Sequence, residues 1–248
     1  MNKTKIEWAT HTWNPVTGCL HGCSYCYAKR IANRFATGNG GGQPFVYDSP
    51  DAGPFPANFD PTFHRYRLDE PAKLKKPARI FVVSMGDLFG SWVPDEWIIQ
   101  VFEACKKAPQ HKYLFLTKNP KRYVELAEKN LLPCLDNFWY GQTCTIGTVK
   151  AFFGPYHQFL SAEPLQGVVE AYGFEWVILG AETGNRKGKH VPTIEEIVDT
   201  LWASNGLFFM KDSLMSIRGE SHMVGEIPRE LQIGDEELEK WRKSEKTH

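Results

Sequence analysis

Seven short apolar runs recur along this chain of 248 residues, and their spacing limits its fold more tightly than composition does. They are HTWNPV (11–16), RIFVVSM (79–85), KYLFLT (112–117), NFWYGQT (137–143), HQFLSA (157–162), EWVILGA (175–181) and LFFMK (207–211). Most are β-branched or aromatic on consecutive positions, which suits strands covered on both faces. Helical patterns lie between them. In PDEWIIQVFEACKKA, Pro94 suits a first turn, and Trp97, Ile98, Val101, Phe102 and Cys105 fall on one face. NPKRYVELAEKN and TIEEIVDTLWAS repeat the theme, the second opened by Thr193 as an N-cap. Strand and helix in alternation predict a parallel sheet. About seven strands in a chain of this length predict an α/β fold with a partial or closed β/α barrel, TIM-like, and an open doubly wound sheet is the competing arrangement.

Residues 1–233 read as a single β/α domain. Within it, residues 37–78, rich in Gly, Pro and Phe, are too long for a plain loop and read as an insertion over one face. Residues 234–248 read as a charged C-terminal tail. An apolar fraction of 42% with 13% aromatic residues excludes a disordered chain. Lysine plus arginine equals aspartate plus glutamate at 29 each, so no global field draws the protein to nucleic acid or to an anionic membrane. Any such role needs a local patch. No apolar leader region and no stretch of about 20 apolar residues is present, which predicts a cytoplasmic protein without a membrane partner.

The predicted strands end in groups that a core alone does not call for: Ser84, Gly86 and Asp87, then Thr117 and Lys118, Gln142 and Thr143, Ser161 and Glu163, Glu182 and Thr183, Lys211 and Asp212. Each taken singly is equally well a wet loop residue. Together they mark the carboxyl ends of parallel strands, where β/α folds bind ligands.

The loop after the first run, GCLHGCSYCYAKR, holds Cys19, Cys23 and Cys26 in a C-x3-C-x2-C spacing, while Cys105, Cys134 and Cys144 are dispersed singly. In a reducing cytosol such a cluster points to metal or redox chemistry rather than disulfides. Structural zinc wants four ligands, so a zinc-stabilised binding module would need His21 or His11 to complete the set, with Lys73, Lys75, Lys76 and Arg79 as its nucleic-acid contacts. Three thiolates on a [4Fe-4S] cluster instead leave one iron without a protein ligand, open for chemistry. Gly22 lets the loop bend, and the helix expected from Tyr27 sets Tyr27, Ile31 and Phe35 on one stripe with its N-terminus toward the cluster. Trp13 reads equally as a shield for that cluster or as core. Cys105 reads as a core hydrophobe, and the basic strings KLKKPAR and NRKGKH read as solvated surface before phosphate grips.

C-x3-C-x2-C with an aromatic residue before the third cysteine, in the loop after the first strand, resembles the radical S-adenosylmethionine superfamily. More narrowly, KIEWATHTWNPVTGC, CYAKRIANRF, LTKNPKR, FLSAEPLQG and WVILGAETG are similar to a family of phage- and prophage-associated proteins, although many of its members have a longer first cysteine gap. The resemblance implies an enzyme in which Cys19, Cys23 and Cys26 hold the cluster and S-adenosylmethionine chelates the open iron. It further implies Tyr25 beside the adenine and Met85, Gly86 and Asp87 at the methionine ammonium, with Glu163 and Glu182 at the ribose or substrate. A one-electron donor such as flavodoxin or ferredoxin is the implied partner, and phage association points to a nucleic acid or nucleotide substrate. Cys144 reads as a hydrogen-atom donor or as packing. Lys118 and Lys211 read as anion-binding catalytic groups or as structural partners of Glu163 and Glu182.

Overall fold

The computed structural model describes residues 1–233, so the charged tail expected at 234–248 lies outside the described residues. The chain begins with β1 (Asn2–Lys3), β2 (His11–Trp13), β3 (Val16–Thr17), helix α1 (Tyr27–Phe35), β4 (Phe45–Tyr47), β5 (Thr62–His64), the single turn α2 (Glu70–Lys73) and β6 (Arg79–Val82). It continues through α3 (Asp95–Lys106), β7 (Lys112–Thr117), α4 (Lys121–Glu128), β8 (Phe138–Thr143), β9 (Gly147–Lys150), β10 (His157–Ala162) and β11 (Val169–Tyr172). The last elements are β12 (Trp176–Leu179), α5 (Ile194–Trp202), β13 (Leu207–Met210) and α6 (Met215–Arg218). Every apolar run forms a strand, and Thr193 caps α5 in a full capping box with Glu196.

Eight strands form one sheet in the order β1-β2-β6-β7-β8-β10-β12-β13. All neighbours are parallel except β1 and β2. The sheet is open, which corrects the expected barrel, partial or closed. Both flanks are already taken. On one side β1 runs antiparallel along β2. On the other, Met210 donates to the Val224 carbonyl and Glu226 to that of Phe208, so residues 224–226 lie antiparallel on β13. Strands of two to six residues and crossovers that carry β9 and β11, paired with each other rather than folded into helices, also leave the outer ring of a barrel incomplete.

Side chains alternate across the sheet with the period of two that a pleat imposes. Ile80, Val82, Tyr113, Phe115, Phe138 and Tyr140 pack beneath α3 and α4. Phe81, Leu114, Trp139, Phe159, Trp176 and Phe209 face the other way, under Trp8 and Leu231. Arg79, fully buried, ties that second cover together: its Nε donates to the Trp8 carbonyl at 2.9 Å and a terminal nitrogen to the Leu231 carbonyl at 3.1 Å. It is therefore no nucleic-acid contact. Trp13 is core as well, its indole N–H donating to the Arg67 carbonyl. Residues 37–78 contribute β4 and β5 to a small sheet with β3, and lay Phe55 and Phe59 against Ala28 and Ala32 of α1. Among the described residues no helix is long and apolar enough to cross a membrane.

Candidate functional site

The carboxyl ends of the parallel strands open into a cavity of about 300 Å3. Cys19, Cys23 and Cys26 form one wall, and Lys118, Glu163, Glu182 and Lys211 belong to the others. Three backbone devices bring the cysteine loop there. Gly18 has φ 86°, and a Cβ on it would lie 2.1 Å from the Asp60 carbonyl oxygen. Across from it, a Cβ on Gly86 would lie 2.7 Å from the Gly18 carbonyl oxygen, so the loop and the turn after β6 meet backbone to backbone. Val83 supplies the turn by taking φ 60°, a left-handed conformation that is uncommon for a β-branched residue.

All three thiols are free and half-buried. Cys26 is the N-cap of α1, its Sγ accepting the Lys29 N–H at 3.3 Å. Burial pushes the Cys19 thiol up to about 12, with an N–H bond from the His21 backbone opposing and the Asp87 carboxylate adding to the rise. Such a thiol gives up its proton at neutral pH only to a strong partner such as a metal. Gly22 has φ 70°, the bend expected of it. Among the described residues no three His, Cys, Asp or Glu side chains stand close enough to hold one metal ion.

Asp87 proves to be a hub. It is buried, and its Oδ1 accepts the Phe89 N–H at 2.9 Å. Its Oδ2 accepts the Thr117 hydroxyl at 2.9 Å and the Lys118 N–H at 3.1 Å, and pairs with His21 Nε2 at 2.8 Å. The carboxylate thus fastens the cysteine loop to the ends of β6 and β7. His21, weighed from sequence as a zinc ligand, is instead bound to this hub and packs edge-on against Trp92.

The lining also carries paired charges. Lys211 bonds Glu163 and lies 3.7 Å from Glu7. Burial disfavours its charge, but the two carboxylates outweigh burial and hold the amine above the usual lysine range. Glu182 is gripped by both arms of Arg186, at 2.6 and 2.7 Å, which holds its carboxyl below the usual range despite burial. Lys118 meets neither glutamate; its Nζ donates to the Tyr25 hydroxyl at 3.0 Å. Gly86 and Asp87 line the cavity, whereas Met85 does not and packs instead against the cluster of Ala28, Ala32, Phe55 and Phe59. Cys144 is also outside the cavity wall, its thiol turned to the Ile146 carbonyl at 3.3 Å. Cys105 lies on the buried face of α3. Sequence reasoning missed Gly18, Arg30 and Arg186; a glycine just ahead of the cysteines was the one available signal.

A family model described as "Protein of unknown function (DUF5131)" matches residues 3–215. The chain belongs to that family. No curated protein matches the chain, and no solved structure does. The matched span includes every residue of the cavity wall, so the cavity is part of the family's domain.

Proposed function

We propose that this cavity is the active site of a radical S-adenosylmethionine enzyme. The observation that carries the reading is three free cysteines on one wall of the strand-end cavity, without a fourth beside them. Cys19, Cys23 and Cys26 would hold a [4Fe-4S] cluster, and N–H bonds to the Cys26 and Cys19 sulfurs suit thiolate ligands. When bound, the cluster and S-adenosylmethionine supply a 5'-deoxyadenosyl radical after one electron from a donor such as flavodoxin or ferredoxin.

The chain's own groups do the positioning. Asp87 holds the cysteine loop through His21 and so acts on the cluster indirectly, as a positioning residue. Tyr25, steadied by the Lys118 ammonium, offers a ring face for an adenine. The Lys211 ammonium, kept charged between Glu163 and Glu7, is neutralised by them and holds the Glu163 carboxylate in place at the cavity.

Anaerobic reconstitution tests the reading. The chain should bind about four irons and four sulfides, turn brown, and release 5'-deoxyadenosine when given dithionite and S-adenosylmethionine. Ala at Cys19, Cys23 or Cys26 should abolish both, while Cys105→Ala, a core change remote from the cavity, should leave iron content intact. A colourless protein that takes up one zinc, or cleavage retained by all three cysteine variants, overturns it.

A further inference from the structure

The helix that the cysteine loop opens is built unlike its neighbours. Helix α3 buries Trp97, Ile98, Val101 and Phe102, whereas α1 buries only Ala28 and Ala32. Its larger apolar side chains lie on the open side: Ile31 is 40% and Phe35 52% exposed, and Tyr27, 46% exposed, turns its hydroxyl in to the Ser84 carbonyl at 2.8 Å and leaves part of its ring open. At about 100° per residue these three fall within an arc of roughly 80°, and Arg30 and Arg34 flank them on one side. One exposed helix face therefore combines two arginines, two aromatic rings and an isoleucine. Arg34 lies over the Phe35 ring at 5.5 Å. The face runs into the cavity, whose wall includes Tyr27 and Arg30.

A second segment joins it there. A Cβ on Gly184 would lie 3.8 Å from the Arg30 guanidinium, so the loop of residues 184–189 passes beside α1 and adds Lys187 and Lys189. Residues 26–36 and 182–190 carry Lys29, Arg30, Arg34, Arg186, Lys187 and Lys189 against Glu182 alone, in a chain whose overall charges cancel. Glu182 and Arg186 neutralise each other. Arg30, Arg34 and Lys187 have no ion-pair partner among the described residues. This is the local patch that the neutral balance of the whole chain conceals.

We infer that this rim binds a single-stranded nucleic acid, with phosphates on Arg30, Arg34, Lys187 and Lys189 and bases stacked on Tyr27 and Phe35. Cations tracking a backbone beside open aromatic faces are the elements such binding requires. A single strand is favoured over a duplex because paired bases present no face for stacking and cannot enter a cavity without being extruded. The inference deepens the reading of the cavity as a reactive site, and rests on it only for delivery of a nucleotide to the pocket. Binding itself is measured on the chain without cluster assembly, so each can fail alone.

The test is fluorescence anisotropy with a labelled oligothymidylate of about 20 residues. Four neutralised phosphates predict that log K falls with log salt at a slope near −3, and Arg34→Gln with Lys187→Gln should bring that slope to roughly −1.4. Phe35→Ala should weaken binding about tenfold at every salt concentration. All three side chains are exposed or rim positions, and circular dichroism of the variants should match that of the parent. Absence of oligonucleotide binding, equal affinity for a duplex of the same length, or a slope that the charge variants do not move overturns the inference. So does binding of reduced flavodoxin, lost in these variants, in place of the oligonucleotide, which would assign the face to an acidic protein.

Discussion

Replacing Asp87 with Asn changes one oxygen to an amide and leaves the shape almost untouched, so its cost isolates the hub. The carboxylate receives three protein donors, Phe89 N–H, Lys118 N–H and the Thr117 hydroxyl, and pairs with His21 as well. Asparagine has one acceptor oxygen. Turned toward Thr117, Lys118 and His21, it sets its own NH2 against the Phe89 N–H; turned the other way, it abandons three partners. The cheaper orientation orphans one buried donor, at about 1–3 kcal/mol, and weakens the remaining bonds by removing their charge, at about 1 kcal/mol each. The sum is on the order of 4 kcal/mol. With a urea slope near 3 kcal/mol/M, the unfolding midpoint should fall by more than about 1 M. The Trp92 emission should also change when the His21 ring, whose centroid lies 4.8 Å away, loses its anchor. A midpoint shift below about 0.3 M at unchanged slope would refute the hub, because it would mean that water already satisfies those donors.

Gly86→Ala forces a methyl against the Gly18 carbonyl, which cannot retreat because Gly18 is itself backed by the Asp60 carbonyl. The expected cost is about 1–3 kcal/mol, a drop in Tm of roughly 5 °C, with faster alkylation of Cys19; an unchanged Tm and alkylation rate would show that the two turns are not in contact. His64 is buried against the Thr17 hydroxyl, and burial together with the Arg67 charge lowers its pKa to about 3. The unfolded chain therefore binds a proton that the folded chain refuses, and stability falls as pH drops from about 6.5 toward 3, by about 2 kcal/mol on reaching pH 5. His11 and His111 shift in the same direction, so the measurement is the difference between parent and His64→Gln, whose urea midpoint should lose part of this slope. Parallel pH profiles would exclude the effect.

The strands were legible because parallel strands buried on both faces are apolar at consecutive positions, as YLFL within KYLFLT and WVIL within EWVILGA are. Whether the sheet closes was not legible. That is decided by Asn2–Lys3 and by residues near Gly225, two flanking pieces with no apolar signature. At the site, most of the polar residues at strand ends line one mouth, but Gln142 and Asp212 do not. Their partners were hidden. Nothing local tells that Glu182 faces Arg186, that Asp87 is saturated by donors from three segments, or that Cys144 turns away just beyond the end of β8. The stripe of Tyr27, Ile31 and Phe35 was visible, but its period does not say which side of the helix the protein covers; the small pair Ala28 and Ala32 does.

The clip at Arg79 has a temporal consequence. Its guanidinium joins Trp8 to Leu231, residues separated by nearly the whole described chain, and residues 224–226 cover the second flank of the sheet. A nascent chain that has already laid down β13 still exposes an unsatisfied strand margin, open to other chains. Completion of the sheet therefore waits until residues 224–231 are available, and contacts of such long span make that step slow.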